Sequence, residues 1–182
     1  MGRYGISKTT VDDVARTAGV SRASVYRYFP EGKEQLVAET ILAAVEDYFS
    51  VLGSQVDGAE DFPHMMELAF LHGHRAVLDH EVLQKVLETE PERLLPHLTQ
   101  SAPLVLGFLR PYIRDRLEGV ALRPGVDRER AADWLARMGL SFIIAAGGWD
   151  LGDPVAVRRL VRQELLAPIL AEVDLDPPRA LI

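Results

Sequence analysis

The seven residues Arg22–Tyr28, RASVYRY, combine side chains from which protein–DNA contacts are commonly built. An arginine can bridge O6 and N7 of a guanine in the major groove. Free N–H groups at a helix N-terminus and hydroxyl side chains can bind phosphate oxygens. The stretch therefore favours recognition of nucleic acid, and the chain offers no activated serine or cysteine nucleophile, phosphate loop or metal motif for catalysis.

Two short helices joined by a tight turn are predicted to position these side chains. The first has an apolar face at i, i+3, i+4 and i+7, formed by Val11, Val14, Ala15 and Ala18. Thr10 with Asp13 three residues later is a capping pattern at its start. Gly19 ends this helix, because glycine takes the left-handed cap conformation without a Cβ clash.

The second helix follows almost at once, with Ser21 as its cap and an apolar face of Val25, Tyr28 and Phe29. Only Val20 and Ser21 separate Gly19 from Arg22, so the two helices must cross steeply. This is the helix-turn-helix arrangement that places a second helix in the major groove. The alternative is an amphipathic helix pair that happens to be basic, but the turn, caps and core face agree with one another.

Residues Thr9–Leu36 resemble the DNA-binding domain of the TetR (tetracycline repressor) family of bacterial regulators. The resemblance rests on Thr9-Thr10, Asp13-Val14-Ala15, Ala18-Gly19-Val20-Ser21, Ser24-Val25-Tyr26, Tyr28-Phe29, Lys33-Glu34 and Leu36. Outside this stretch the likeness is one of length and helical pattern. It implies an all-α fold with a helix-turn-helix DNA-binding domain over residues 1–46 and a ligand-binding and dimerisation domain over residues 47–182.

The resemblance also implies roles for individual residues. Arg22, Ser24 and Tyr28 match positions that face bases, and Tyr26 matches one that contacts a phosphate. Thr10 and Lys33 match helix N-termini that touch the DNA backbone, and Arg27 reaches a phosphate or is simply solvated. The candidate DNA-binding residues are Thr10, Arg22, Ala23, Ser24, Tyr26, Arg27, Tyr28 and Lys33.

Charge is distributed unevenly along the chain. The net charge is −7, yet residues 1–33 hold six basic and three acidic residues, giving +3, and the remainder holds 14 basic and 24 acidic residues, giving −10. A basic head on an acidic body is typical of a protein with one DNA-facing end. There are no cysteines, no apolar run long enough to span a bilayer and no signal pattern, so a cytoplasmic protein without membrane, metal or cofactor is expected.

Helical patterns continue through the rest of the chain. Helices are predicted over about 33–52, 61–78, 82–87, 102–118, 127–146 and 154–171. Asp127 and Asp153, the latter followed by Pro154, are expected to cap the last two helices. Residues 53–60 are expected to form a loop, Pro91 and Pro96 to interrupt the chain, and Pro111 to kink its helix. The tail from Asp174 is expected to be disordered.

An apolar set in the middle of the chain could line a ligand cavity between helices. Its members are Met65, Met66, Phe70, Phe108, Tyr112, Trp134, Met138 and Phe142. Ordinary core packing is the alternative, and the TetR resemblance implies a cavity without identifying its residues. The histidines His64, His72, His74, His80 and His97 lack metal-ligand spacing and are expected to be structural or solvated.

The TetR resemblance implies a ligand-responsive regulator, expected to be a repressor, that binds a palindromic operator as a homodimer and is released by a small apolar effector. The alternative is a helical ligand- or partner-binding protein with impaired DNA binding. The helices over 127–146 and 154–171 are expected to form the dimer contact, unless their apolar sides close the core of a single chain.

TetR-like domains have a helix before the turn motif, and Met1–Lys8 is too short and glycine-rich to supply it. Either the natural start lies about 15–20 residues upstream, enough for a helix and a short lead, or the head is shortened and loosened. The first alternative is favoured because the motif keeps its caps and core face. Residues 1–36 are expected to be more mobile than the body and to bind operator weakly.

Overall fold

The computed structural model describes residues 8–174, without the side chains of 82, 87, 91, 93–98, 100 and 101. Its described part is all-α, as predicted. In chain order the helices are α1 (Val11–Ala18), α2 (Arg22–Tyr28), α3 (Lys33–Val56), α4 (Phe62–Asp79), α5 (Glu81–Thr89), α6 (Pro91–Arg116), α7 (Arg128–Ile144) and α8 (Pro154–Arg159), which continues as a π-helix over Leu160–Leu166. The predictions for Met1–Ser7, for residues 175–182 and for the His97 side chain lie outside this description, and Lys8 is helical.

Two helices are longer than predicted. Helix α3 passes through Gly53 and ends at Val56, so the predicted 53–60 loop begins four residues late. Helix α6 runs without interruption from Pro91, which occupies its first position, through Pro96 to Arg116. Pro91 was therefore a start signal, because the first helical N–H has no partner to lose. The predicted kink at Pro111 stays a prediction.

The chain divides into two compact units. One comprises Met1–Phe49 and Asp79–Pro103, and the other Ser50–Leu78 and Leu104–Ile182. The domains predicted from the sequence, residues 1–46 and 47–182, were defined by function and not by compactness, so their boundary stays a prediction. The second unit has a core of buried apolar side chains from α4, α6, α7, α8 and the π-helix, among them Phe70, Leu117 and Leu135.

Capping residues define the N-termini of α7 and α8. Asp127 accepts a hydrogen bond from the Arg130 N–H at the start of α7, and Asp153 precedes Pro154 and caps α8, both as predicted. Gly119, Gly125 and Gly147 have positive φ in the connections. These local signals position the packed faces of α7 and α8.

The chain after α8 is less regular than an α-helix. A wide turn joins the Ala167 N–H to the Arg162 carbonyl at 3.0 Å, five residues earlier. Leu170 then forms an isolated antiparallel bridge with Leu122. Arg162 is buried, and its guanidinium pairs with Glu67 and donates to the Asp174 carbonyl oxygen at 3.1 Å. A charge in this position is tolerated because it is paired and hydrogen-bonded.

Leu160 and Val161 lie in the core of the single chain, with no exposed surface. The sequence left open whether this apolar side contacts a second copy or packs within one chain. In the structure, Leu160 and Val161 pack within one chain. Gly139 is likewise buried, with Phe70 ring carbons 3.8 Å from where its Cβ would stand. Ser141 and Ala145 on α7 remain exposed.

Candidate nucleic-acid interface

Reciprocal hydrogen bonds fix the start of α1. The Asp13 N–H donates to the Thr10 hydroxyl oxygen at 3.2 Å, and the Thr10 N–H donates to the Asp13 carboxylate at 3.0 Å. This is the predicted capping box. The Thr10 hydroxyl also donates to Asp13 at 2.6 Å, and these Thr10 bonds are the main reason that the pKa of Asp13 lies below its ordinary value.

The turn between α1 and α2 has the geometry that its residues predicted. Gly19 has φ 69° and ψ 26°, the left-handed conformation, and the next N–H, from Val20, donates to the Ala15 carbonyl at 3.0 Å. Ser21 then caps α2, because its hydroxyl accepts the Ser24 N–H at 3.0 Å. The Gly19 turn before α2 and the Ser21 cap together fix where α2 begins.

A small core holds the two helices and the start of α3 together. Ala15, Val25 and Leu36 are buried in it, and Val11, Val14 and Phe29 pack against them. Ala18 and Tyr28, which the helical spacing assigned to this core, are exposed. Gly19 directly follows Ala18, and Tyr28 is the last residue of α2, so both lie where their helices end.

Most side chains of α2 are exposed to solvent. Arg22, Ala23, Tyr26, Arg27 and Tyr28 are exposed, while Ser24 is half-buried beside its cap. Tyr28 is 67% exposed, far more than an aromatic residue with a packing role would be. Of the candidate base-facing residues, Arg22 and Tyr28 are therefore exposed and Ser24 is partly accessible.

Arg22 has partners on both sides. Its Nη1 donates to Asp12 at 3.0 Å, and its guanidinium carbon lies 5.5 Å from the centre of the Tyr26 ring. Tyr26 first, and then the charge of Asp12, raise the pKa of Arg22 above its ordinary value. Arg27 lies 5.0 Å from the centre of the Tyr28 ring.

Tyr26 itself is set against the turn that follows α2. Gly32 has φ 74° and is buried, and a Cβ built there would stand 3.3 Å from Tyr26 Cε1. Glycine is required at this position because an L side chain would be strained and would press on the ring. The Pro30–Gly32 turn therefore positions a candidate phosphate contact.

Thr10 and Lys33 border the same closely packed crevice, which is too narrow to hold a water molecule. Val11, Val14 and Leu36 form its apolar wall, together with Thr9. The structure thus brings together the two helix N-termini that the sequence assigned to the DNA backbone. Contact of any of these residues with DNA stays a prediction.

One residue of this surface was missed by sequence reasoning. Asp12 was counted only as an acid in a basic segment, and its contact with Arg22 joins residues ten apart across the turn. Helical spacing cannot reveal such a pair, because it depends on the crossing of α1 and α2. The visible signal was the presence of an acid in the first turn of α1.

The candidate ligand residues have two kinds of surroundings. Met65, Met66 and Phe70 are buried in the second unit's core, and Tyr112, Met138 and Phe142 pack against it. Phe108 and Trp134 are 47% and 38% exposed. A cavity of about 380 Å³ is lined by Trp134 from this set, with Val126, Arg130 and Ile169 among its other lining residues. The predicted ligand site stays a prediction.

Two of the histidines have structural hydrogen bonds. His80 caps α5, where its Nδ1 accepts the Leu83 N–H at 3.1 Å, and the His64 Nδ1 accepts the Glu60 N–H at 3.3 Å. Among the side chains that the structure describes, which do not include His97, no three or more potential metal ligands lie together.

The helix-turn-helix sequence also matches a known family profile. Residues 1–40 match the family described as "Bacterial regulatory proteins, tetR family". The match gives the chain a tetR-family segment at its N-terminus. The matched residues include α1, α2 and the start of α3, which carry the surface described above.

Solved structures extend the likeness over most of the chain. The tetR-family repressor AlkX from Dietzia sp. strain DQ12-45-1b is 20% identical, with a TM-score of 0.64 over 87% of this chain and 83% of that one. The repressor QsdR from R. erythropolis is 16% identical, with a TM-score of 0.59 over 85% and 83%. The fatty acid degradation regulator FadR from Bacillus halodurans is 17% identical, with a TM-score of 0.55 over 91% and 90%.

At these identities the likeness establishes a shared fold with these structures. No curated protein matches the sequence. Among the described helices, none has the length and apolar character needed to cross a membrane.

Proposed function

We propose that the chain is a transcriptional repressor that binds a palindromic operator as a homodimer and releases it when a small, largely apolar effector binds. Each α2 would lie in a major groove, and the two copies would occupy successive half-sites. The effector would favour a conformation with lower DNA affinity, which requires different effector affinities in the two states.

The exposed surface of α2 carries this proposal. Val25 of α2 is buried in the small core, whereas Arg22, Tyr26 and Tyr28 of the same helix are exposed. Recognition helices need this division, because one side must anchor the helix while the other reaches base edges. Thr10 and Lys33, at the starts of α1 and α3, would add backbone contacts.

Support for an effector comes from the second unit. Methionine and aromatic side chains, Met65, Met66 and Phe70, lie in its core, and such side chains adapt to apolar ligands. AlkX is implicated in n-alkane biodegradation and FadR in fatty acid degradation. An aliphatic effector is the chemistry to test first.

Selection from a random duplex library with the purified chain tests the DNA-binding proposal directly. A palindromic sequence should be enriched and should then be bound by two chains. Arg22→Ala should cost about 1–3 kcal/mol at one base pair of each half-site and relax the preference there. An unchanged preference in a binding array would show that Arg22 does not read a base.

Phosphate contacts have a different signature. Tyr26→Phe and Lys33→Ala should weaken binding to all sequences by similar factors, because phosphates carry no sequence information. Lys33→Ala should also reduce the salt dependence of binding by about one ion. Sequence-selective losses from Lys33→Ala would contradict its assignment to the backbone.

Thermal unfolding with and without aliphatic compounds of increasing length tests the effector. A ligand that binds the folded chain raises Tm by mass action and should also release the selected duplex. Light scattering tests the dimer against the chain mass of 20.2 kDa. A monomer at micromolar concentration would reject the homodimer while leaving the DNA test independent.

A further inference from the structure

We propose that Asp12 is a specificity-determining residue: its carboxylate positions Arg22 for one base and reduces binding to unrelated DNA. The inference rests on the proposed DNA-binding function and adds a residue of α1 to it. Asp12 would act through Arg22, so it is a positioning residue and not itself a base contact.

The carboxylate holds one edge of the guanidinium. Both Asp12 oxygens lie close to the same nitrogen, Nη1 of Arg22, at 3.0 and 3.3 Å. The Tyr26 ring, 5.5 Å from the guanidinium carbon, lies on another side. Because Gly32 lets that ring pack closely against the backbone, Arg22 has an oriented neighbour on each side.

Stability does not explain this pair. The side chains of Arg22 and Asp12 are 61% and 58% exposed, and ion pairs so accessible to water contribute little to folding. Their interaction would strengthen at a DNA interface, where water is displaced and the effective dielectric constant falls. The pair would therefore act mainly when DNA is bound.

The carboxylate also disfavours the wrong contact. An unrestrained arginine can neutralise a phosphate on any DNA, and this contact supports non-specific binding. Here Asp12 occupies one edge of the Arg22 guanidinium, so fewer of its N–H groups remain for a phosphate, and the Asp12 charge repels the phosphate backbone. Specificity arises when a protein penalises competing partners as well as rewarding the correct one.

The test compares two variants that remove the same charge. Asp12→Asn preserves side-chain size but removes the carboxylate that faces Arg22. Glu31→Gln removes another exposed acid in the turn after α2 and serves as the matched control. Each full-length variant is titrated with the library-selected duplex, with all its single-base substitutions, and with an unrelated duplex of equal length at several salt concentrations.

Asp12→Asn should raise affinity for the unrelated duplex about threefold to tenfold at low salt, since one repulsive charge is gone. Discrimination at the base pair read by Arg22 should fall about tenfold, with other positions unchanged. Asp12→Glu should restore part of this discrimination, and Glu31→Gln should leave it intact. In an Arg22→Ala background, Asp12→Asn should not change base preference further.

Several results would overturn the proposal. Unchanged discrimination in Asp12→Asn would do so, as would an equal loss at every position, which would indicate a loosened α1. Circular dichroism distinguishes loss of helix from loss of positioning. If the unsubstituted chain selects no DNA sequence, both the proposed DNA-binding function and this inference are wrong. If it does select one, the results with the Asp12 variants test this inference separately.

Discussion

The N-terminal head and the body, by which we mean the second compact unit, are ordered by different means. In the head, residues Thr9–Leu36, three buried side chains form the core, whereas the core of the second unit contains twenty buried residues. Since apolar burial contributes about 25 cal/mol per Å², the body core has by far the larger hydrophobic stabilisation. The head relies more heavily on the cap and turn hydrogen bonds of Thr10, Gly19 and Ser21.

This difference follows from what each region presents to its surroundings. A short helix with one exposed side available for DNA can bury only its other side. Side chains such as Tyr28 are then unavailable to the core, and backbone hydrogen bonds become a larger share of what orders the helix. We therefore expect core substitutions to dominate in the body and cap or turn substitutions to matter more in the head.

The largest effect should come from the body core. Leu135→Ala removes a fully buried side chain and should lower the free energy of unfolding by about 2–5 kcal/mol. Leu78→Ala, at a leucine 55% exposed, should change it by less than about 0.5 kcal/mol. Urea unfolding of both variants measures the contrast. Equal losses would mean that burial does not distinguish these positions.

A head-core substitution should act locally. Leu36→Ala should lower the free energy of opening the head by about 2 kcal/mol, the lower part of the range for such changes, because few neighbours surround it. Native-state hydrogen exchange should show this at Val14 and Val25 but not at Leu135. In the unsubstituted chain, Val14 and Val25 amides should already exchange faster than that of Phe142, as the predicted mobility of residues 1–36 requires. Equal protection would remove the contrast.

The same substitution at two glycines should have opposite signs. Gly32→Ala should destabilise the head by about 1–2 kcal/mol, because Gly32 has φ 74°. It should also weaken DNA binding through Tyr26. Gly53→Ala, within α3 and with open space at its Cβ, should stabilise by about 0.5–1 kcal/mol. Thermal unfolding of both variants measures these changes in stability. A stabilising effect of Gly32→Ala would contradict the turn geometry.

The smallest effect concerns the cap of α1. Thr10→Ala should cost about 1 kcal/mol, whereas Thr17→Ala, whose hydroxyl only donates back to the Asp13 carbonyl, should be nearly neutral.

The cap also predicts a dependence on pH. The pKa of Asp13 is lowered in the folded chain, chiefly by Thr10, so its stabilisation is full above the unfolded pKa and is lost as pH falls through the folded pKa. Hydrogen exchange of the head across acidic pH should show this loss in the unsubstituted chain and less of it in Thr10→Ala. An identical pH profile in the two proteins would contradict the assignment.

Local signals explain which parts of the structure were predictable. Thr10, Gly19, Ser21 and Asp153 were identified because a cap involves residues within one turn of one another. Predictions of helix ends from proline and glycine were wrong at Pro96 and Gly53, where the helix continues through the residue. Gly53 was tolerated inside α3, since a glycine costs a helix only about 1 kcal/mol relative to alanine and the rest of the helix compensates.

The candidate interface was predictable only in part. Arg22, Tyr26 and Tyr28 could be named from the motif, and the structure leaves all three exposed. The contacts of Asp12 with Arg22 and of Gly32 with Tyr26 were not predicted, because both depend on how the backbone crosses or turns. For the apolar set, composition could not separate buried Phe70 from exposed Phe108.

The wide turn over Leu160–Leu166 has a consequence for sequence alignment. A π-helical turn contains one residue more than the α-helical turn it replaces, so it is equivalent to a single-residue insertion. Deleting one residue there would rotate the following residues by about 100° about the helix axis. The Ile169 carbonyl would then no longer face the Arg123 N–H, to which it is bonded at 2.9 Å. In comparisons with relatives that have a regular helix here, a one-residue gap belongs within this turn and not in the loop after it.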